Sequence, residues 1–468
     1  MRTYQTPKEY YRRIHHVRPR FKNKVEEVLI FMATRLSSLG TLDSNKFAES
    51  MNKAIREFPD NHDLTLKTIQ NWRTEISALF GFVLTENGVS RAGRTAVELA
   101  DNQDLVKFFK EFLFSFQYPG AHTKDKEILE LCQDDIRFQP AYFLINLMKN
   151  CPIQREAYIT KDEATHLIFN DLRVTAKKET ISETWKRVID SRKSNMNFDS
   201  SGDVTRYAGD ILDYMELANF INLKGRNFYL NKNEKDSINK FMENATFFSE
   251  YSDLKRKNKL TLESIKEIRV KWFSFVNRDL GKIDFATNID SYISETEQIV
   301  IERQKESIIE FQEVLVNERK IKTFEIGTRG EAIIINHEKT KLLASGHDDL
   351  VHLINFVPTK LAVGYDIQSF EDDDSELRKY IEVKTTISNR SVSFNSIHIT
   401  KNEWRTAKSV KDRYYIYRMQ VSQQQRKLFI LKNLYNMVTN EIVDLIPSND
   451  GFDIRFKDSS GAYEELIV

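Results

Sequence analysis

The stretch Ile381-Glu382-Val383-Lys384-Thr385-Thr386 sets a glutamate and a lysine on either side of one apolar residue, and Asp366 stands sixteen residues before Glu382 in Gly364-Tyr365-Asp366-Ile367. Successive strand side chains point to opposite faces. A strand here therefore turns Glu382 and Lys384 the same way and sends Val383 into the fold. Asp366, between an apolar-glycine approach and Ile367, can project from a neighbouring strand onto that same face. Two carboxylates hold a hard divalent cation through oxygen, and an ammonium beside them can stabilise charge or position a water.

An acid followed by Glu-x-Lys recurs by chance in a chain with 70 basic and 69 acidic residues. The plain alternative is an edge strand with alternating solvated charges. The surrounding order adds weight. Gly327-Thr328-Arg329-Gly330-Glu331 opens an amphipathic helix through Ala332, Ile333, Ile334 and Ile335. An apolar run at 351–357 reads as a strand, followed by the Asp366 strand and the Glu382 strand. Thr400 and Glu403 then form a capping-box pair at the start of a second helix. The last strand runs from Arg413 to Met419.

Residues from about 322 to 435 resemble the family named after the carboxyl-terminal domain of the plant protein NO VEIN. The resemblance rests on Gly330-Glu331, Gly364-Tyr365-Asp366-Ile367, Ile381 to Thr386, Asn402-Glu403 and the Tyr415–Tyr417 strand. That family is similar in sequence logic to PD-(D/E)xK nucleases and is frequent in prokaryotic restriction and defence proteins. The resemblance implies an α/β, restriction-endonuclease-like C-terminal domain with Glu331, Asp366, Glu382 and Lys384 as its catalytic residues. Asp366 and Glu382 would hold Mg²⁺ or Mn²⁺, with the main-chain carbonyl of Val383 as a further ligand. Glu331 would sit one step removed or help hold a second ion. Asp372-Asp373-Asp374 reads as a turn.

The rest of the chain is read from its composition and periodicity. Its 468 residues suggest roughly two to four domains. Only Cys132 and Cys151 occur, without ligand spacing, so neither a disulfide framework nor a structural zinc is expected and a reducing cytoplasm fits, a prokaryotic one as the resemblance implies. No apolar run reaches the length of a membrane span, and the polar start lacks the apolar core of a secretory signal. A net charge of +1 neither supports nor excludes nucleic acid, since a local positive groove suffices. No G-x-x-x-x-G-K-[ST] loop is present, so the chain is not its own translocating motor.

Fifteen Gly and eight Pro are few for this length, which favours long helices, and the amino-terminal two thirds carries them. Helices are expected over 21–39, 45–58 and 65–76. A hairpin turning at Asn87-Gly88 follows, and then a further helix over 94–99. Three helices and a hairpin outline a winged helix. Its third helix would present Lys67, Gln70, Asn71, Arg73 and Thr74 to DNA, opposite Leu66, Ile69, Trp72 and Ile76. The alternative is a solvated face over a core tryptophan. A second such unit at 203–245 has a hairpin with Lys224-Gly225-Arg226 at its tip, a shape suited to phosphate contact. Upstream, 138–148 reads as a helix buried nearly all round, and Thr160-x-x-Glu163 as a capping box. In layout this region resembles the amino-terminal recognition regions of some restriction endonucleases, including type IIS enzymes.

A helical connector, basic at 251–259 as a solvated stretch or alternatively a phosphate patch, and with a long charged helix over 290–317, completes a division into 1–120, 121–245, 246–318 and 319–468. His15-His16 reads as a solvated helix face. The whole reads as a multidomain endonuclease of a restriction or anti-phage system. Double-stranded DNA would be its substrate, a homodimer is expected for double-strand cleavage, and protection of host DNA would need a separate protein such as a companion methyltransferase. The alternative is a non-catalytic DNA-binding or assembly subunit of a defence complex.

Overall fold

The structure, a computed structural model, describes residues 3–14, 18–59, 61–281, 283–285, 325–357, 363–373, 375, 377–390, 396–422, 426–448 and 450–467. The helix expected over 290–317 and the pair His15-His16 lie outside the described residues. The chain divides into two compact units. One comprises Met1–Leu29, Gly40–Val97 and Val106–Ala286, the other Ile30–Leu39, Glu98–Leu105 and Thr287–Val468.

The first unit is largely helical and contains two small sheets built to one plan. After α1 (Val25–Ser37), whose residues from Ile30 onward count with the second unit, the two-residue β1 (Leu42–Asp43) ends where the Asp43 carboxylate accepts the Asn45 and Lys46 N–H groups and starts α2 (Ser44–Glu57). Phe47, Met51, Ala54 and Ile55 line the buried side of α2, the three-four spacing of one helix face. α3 (Leu66–Thr74) is capped by Thr65, buries Ile69 and Trp72, and runs into one π-turn at Glu75–Leu79. β2 (Val83–Glu86) and β3 (Val89–Ala92) are joined by Asn87-Gly88 with φ of 51° and 81°. Two positive φ values make the mirror-image turn that matches strand twist. β1 pairs with β3, so the order is β1-β3-β2.

The same pairing recurs further along. Past α4 (Arg94–Asn102), α5 (Leu105–Ser115), α6 (Asp125–Gln133) and α7 (Pro140–Lys149), β4 (Tyr158–Thr160) leads into α8 (Lys161–Glu163) through the Thr160/Glu163 capping box. After α9 (Leu172–Thr175), α10 (Ile181–Lys193) and α11 (Gly202–Leu217) come β5 (Ile221–Lys224) and β6 (Asn227–Leu230), giving the order β4-β6-β5. α12 (Lys235–Asn244), α13 (Glu250–Arg256) and α14 (Leu262–Val276) follow. The stretch expected to be wholly solvated at 251–259 is half core. Tyr251 and Leu254 pack with Ile128, Cys132, Phe248, Ile268 and Trp272, while Lys257 to Lys259 stay exposed. Each fully buried large apolar side chain contributes about 1.5–3 kcal/mol.

The second unit holds a six-stranded mixed sheet, β15 (Ala462–Glu464), β12 (Arg426–Lys432), β11 (Tyr414–Val421), β9 (Arg378–Ile387), β8 (Ile367–Phe370) and β7 (Asn355–Phe356) in that order, and a three-stranded sheet of β10 (Ser396–Thr400), β14 (Gly451–Arg455) and β13 (Asp444–Pro447). Past residue 287 its first described element is α15 (Glu325–Ala344), which begins two residues before the expected start. Ala332, Ile333, Ile334 and Ile335 are all buried, so this helix is covered on more than one side rather than along a single stripe. The run at 351–357, expected as a strand, is a short 3-10 turn at Val351–Leu353 followed by the two-residue β7 (Asn355–Phe356). Leu350 and Ile354 are buried while His352, midway between them, is exposed, which breaks the alternation that a half-buried strand requires.

β8 (Ile367–Phe370) pairs antiparallel with β9 (Arg378–Ile387). β10 (Ser396–Thr400) and α16 (Lys401–Val410) then carry the chain across to β11 (Tyr414–Val421), which runs parallel to β9 with Ile416 opposite Glu382. A parallel neighbour needs such a crossover. β12 (Arg426–Lys432), α17 (Leu434–Thr439), β13 (Asp444–Pro447), β14 (Gly451–Arg455) and β15 (Ala462–Glu464) complete the unit. Trp404 and Ala407 of α16 join Tyr414, Ile416, Phe429, Leu431 and Ile454 in one apolar core. On the other face, the side chain of Glu338 in α15 pairs with the buried Lys379 at 2.8 Å and accepts the Tyr417 hydroxyl at 2.8 Å.

Candidate active site

Asp366 lies one residue before β8. Its N–H donates to the Ile381 carbonyl at 2.9 Å, and its own carbonyl accepts the Val357 N–H at 2.7 Å. Its Oδ2 accepts the Val383 N–H at 2.8 Å, which fixes the carboxylate beside the middle of β9. The approach to it is pinned by α16 and by the start of β11. Thr406 Oγ1 donates to the Val363 carbonyl at 2.6 Å, and the Tyr414 hydroxyl to the Gly364 carbonyl at 3.1 Å. Gly364 has φ +76° and sits so close to α16 that a Cβ would fall 2.8 Å from the Asn402 carbonyl, so glycine is required on both counts.

β9 carries the other two groups on one face, as its alternation requires. Lys384 Nζ lies 2.7 Å from Glu382 Oε1 and 3.2 Å from Glu403 Oε2. Glu403 is the capping-box glutamate of α16, and the same Oε2 accepts the Thr400 N–H at 3.1 Å. Glu331 approaches from α15. At Gly330 that helix comes so near β9 that a Cβ would stand 2.0 Å from Thr385 Oγ1. Glu331 Oε2 is buried without a hydrogen-bond partner.

The charges do not balance within this group. Burial, and then the neighbouring Glu382 charge, push the Glu331 carboxyl up to about 8 against the pull of Lys384. Burial and Glu331 raise Asp366 to about 8, with Lys384 and the Val383 N–H opposing. Burial and Asp366 hold Glu382 well above the usual carboxylate range. Burial disfavours the Lys384 ammonium, but Glu382, Glu403 and Asp366 outweigh it and raise its pKa. For Glu403, burial is outweighed by Lys384 and the Thr400 N–H, and the pKa falls.

Crowded carboxylates facing one ammonium favour a further cation. An all-oxygen donor set with an unpartnered Glu331 oxygen fits a hard divalent ion. Among the described residues no three His, Cys, Asp or Glu side chains already stand in ligating geometry. Lys384 takes up Glu382 Oε1, and the Val383 N–H takes up Asp366 Oδ2.

The residues expected to meet DNA belong to the first unit. On α3, Lys67 and Gln70 are exposed, whereas Asn71 and Arg73 are half-buried, and Arg73 donates to Asn52 at 3.4 Å. Leu66, expected on the inward side, is 58% exposed. It is the first residue after the cap, and the burial of α3 is supplied by Ile69 and Trp72. Lys224 and Arg226 are exposed at the β5–β6 turn, where Gly225 takes φ +65°. The part of Glu403 in the charged group is not evident from its capping role alone. A signal was present in the Thr400-x-x-Glu403 spacing, which places a fixed carboxylate at the start of α16.

Residues 4–273 match the family model described as restriction endonuclease BpuJI, N terminal, and residues 330–431 match that of protein NO VEIN, C-terminal. The C-terminal match bears out the resemblance carried by the motifs of that region. No curated protein shows significant sequence similarity to the chain. Among solved structures, the BpuJ1 endonuclease binding domain in complex with pyrene- and phenanthrene-modified DNA is similar in fold. Its TM-score is 0.52 and its identity 22%, over 59% of this chain and 100% of that one. Among the described residues no helix is long and apolar enough to cross a membrane. With the first family match spanning more than half of its length, the chain belongs to the restriction endonuclease BpuJI N-terminal family.

Proposed function

We propose that this chain is a divalent-metal-dependent endodeoxyribonuclease of a prokaryotic restriction or anti-phage system, binding double-stranded DNA through its first unit and hydrolysing phosphodiesters at its second. The observation that carries this reading is the meeting of the Asp366 carboxylate, held against the Val383 N–H, with Glu382 and Lys384 of β9, and with the unpartnered Glu331 oxygen close by. An acid at the start of β8, Glu-x-Lys on β9 and a parallel β11 support a PD-(D/E)xK fold. Asp366 and Glu382 would hold Mg²⁺ or Mn²⁺ with the Val383 carbonyl, and Glu331 would be one step removed. When bound, such an ion polarises phosphate oxygens and lowers the pKa of a bound water. Lys384, kept charged by its carboxylate neighbours, orients the attacking water and offsets charge developing on the phosphorane.

In the first unit, the succession β1-α2-α3-β2-β3 supports a winged helix with α3 as its recognition helix, and the β4-β6-β5 sheet supports a second. Gln70 and Asn71 suit adenine edges, and Lys67 and Arg73 suit guanine or phosphate. Lys224 and Arg226 suit the phosphate backbone. The DNA-bound relative of similar fold supports this assignment. Within the division into 1–120, 121–245, 246–318 and 319–468, a homodimer would supply one site per strand, and a companion methyltransferase would protect host DNA. The test is incubation with plasmid and phage DNA, plain and base-modified, with Mg²⁺ and with EDTA. Cleavage with Mg²⁺ alone is expected. DNA bound but never cut would favour the non-catalytic assembly subunit, with Lys384–Glu382 as a structural ion pair.

A further inference from the structure

We propose that Glu403 is a positioning residue that keeps Lys384 in place once Glu382 is engaged by a divalent cation, an inference that rests on the nuclease reading. Lys384 Nζ touches two carboxylates, Glu382 at 2.7 Å and Glu403 at 3.2 Å. A divalent ion on Glu382 withdraws that carboxylate from Lys384, and it also repels the ammonium, since like charges a few ångströms apart in a poorly solvated site repel strongly. Glu403 is then the anion that remains in contact.

Its position does not depend on Lys384. Oε2 accepts the Thr400 N–H at 3.1 Å, and the Glu403 N–H donates to Thr400 Oγ1 at 3.2 Å. The reciprocal capping box fixes the side chain at the first turn of α16. The two duties of Glu403 call for different chemistry. A cap needs only an acceptor oxygen, which glutamine also supplies. Holding an ammonium beside a divalent ion needs a negative charge. Without that charge, Lys384 falls back on Glu382 alone and competes with the ion for it.

The experiment compares the full chain as wild type, Glu403→Gln, Thr400→Ala, Lys384→Met and Lys384→Met/Glu403→Gln. Thermal unfolding, Mn²⁺ titration by calorimetry and single-turnover cleavage at saturating Mn²⁺ are measured for each. Glu403→Gln is expected to keep the melting temperature, to weaken Mn²⁺ binding about tenfold and to slow cleavage about tenfold or more, the effect of removing one charge-assisted hydrogen bond. Thr400→Ala removes the hydroxyl but keeps the main-chain N–H that holds Glu403 Oε2, so it is expected to lower the melting temperature while Mn²⁺ affinity and rate per folded molecule stay unchanged. Once Lys384 is removed, Glu403→Gln is expected to have no further effect on Mn²⁺ affinity. Wild-type Mn²⁺ affinity and rate in Glu403→Gln would overturn the proposal, as would an effect on Mn²⁺ that persists without Lys384. Wild-type protein that binds Mn²⁺ yet cuts no DNA would remove the nuclease reading, while the Mn²⁺ arms still decide whether Glu403 holds Lys384. Wild-type protein that binds no Mn²⁺ overturns both.

Discussion

Gly330 sets the distance between α15 and β9, and replacing it with alanine tests whether that distance matters to the site. The new Cβ would lie 2.0 Å from Thr385 Oγ1, 3.1 Å from Thr385 Cβ and 3.4 Å from Met419 Cε. Thr385 is β-branched and held in a strand, so turning its side chain only exchanges hydroxyl for methyl at the same spot. Ordinary contact begins near 3.4 Å, so the helix must retreat by about 1.4 Å. Overpacking of this kind costs about 1–3 kcal/mol, of which the better helix propensity of alanine offsets up to about 1 kcal/mol. A net loss of about 1–2 kcal/mol lowers the melting temperature of this unit by roughly 2–8 °C.

The larger effect is on chemistry. Glu331, the next residue, moves with the helix, and a misplacement of about 1 Å can cost on the order of a hundredfold in rate. The assay pairs scanning calorimetry with single-turnover cleavage for Gly330→Ala and for Gly330→Ala/Thr385→Ala, where loss of the threonine hydroxyl makes room and recovers part of both. A Gly330→Ala variant with wild-type melting and wild-type rate would refute the reasoning.

Three other outcomes are expected. Lys384→Ala lowers the cleavage rate on the order of a hundredfold or more, and it lowers the melting temperature too because Glu382 and Glu403 are left without their shared cation; a folded variant that cuts at the normal rate rules out a catalytic Lys384. Glu75 is buried, and burial raises its carboxyl from 4.5 to about 7 despite the Arg20 N–H at 2.9 Å and the Arg20 charge. The folded state therefore binds the proton more tightly than the unfolded state. The stability associated with that proton is complete below about pH 4.5 and is lost as pH rises through 7, a change of about 3 kcal/mol. Glu75→Gln should remove that slope in denaturant titrations and stabilise the protein at pH 8, and an unchanged slope between pH 5 and 8 would contradict it. Lys224→Glu and Arg226→Glu should weaken DNA binding uniformly across sequences and reduce the salt slope by about one unit for each phosphate no longer neutralised, whereas an unaltered slope would remove the hairpin tip from the interface.

Features set by neighbours in sequence were legible from the chain alone. The α2 core positions, the Asn87-Gly88 turn, the Lys224-Gly225-Arg226 tip and the capping boxes at Thr160 and Thr400 all depend on contacts within a few residues. Alternation along 381–386 was enough to set Glu382 and Lys384 on one face. Features set by distant partners were not legible. The β10-β14-β13 sheet pairs Ile397 with Ile454, and nothing local to either announces it. Apolar content alone at 351–357 could not separate a helical turn from a strand, because the deciding contacts of Leu350 and Ile354 lie in the tertiary core. For the same reason Leu66 read as inward although its neighbours Ile69 and Trp72 fill the space under α3. The second duty of Glu403 depends on α16 lying against β9, which its capping motif does not reveal.

The central claim is that Asp366 and Glu382 make this chain a metal-dependent nuclease. The most direct measurement compares DNA cleavage and DNA binding by the wild type and by Asp366→Ala in Mg²⁺. Wild-type cleavage is expected to vanish in EDTA, and Asp366→Ala is expected to bind DNA with nearly unchanged affinity without cutting it. Cleavage by Asp366→Ala at the wild-type rate, or wild-type cleavage that survives EDTA, would contradict the claim.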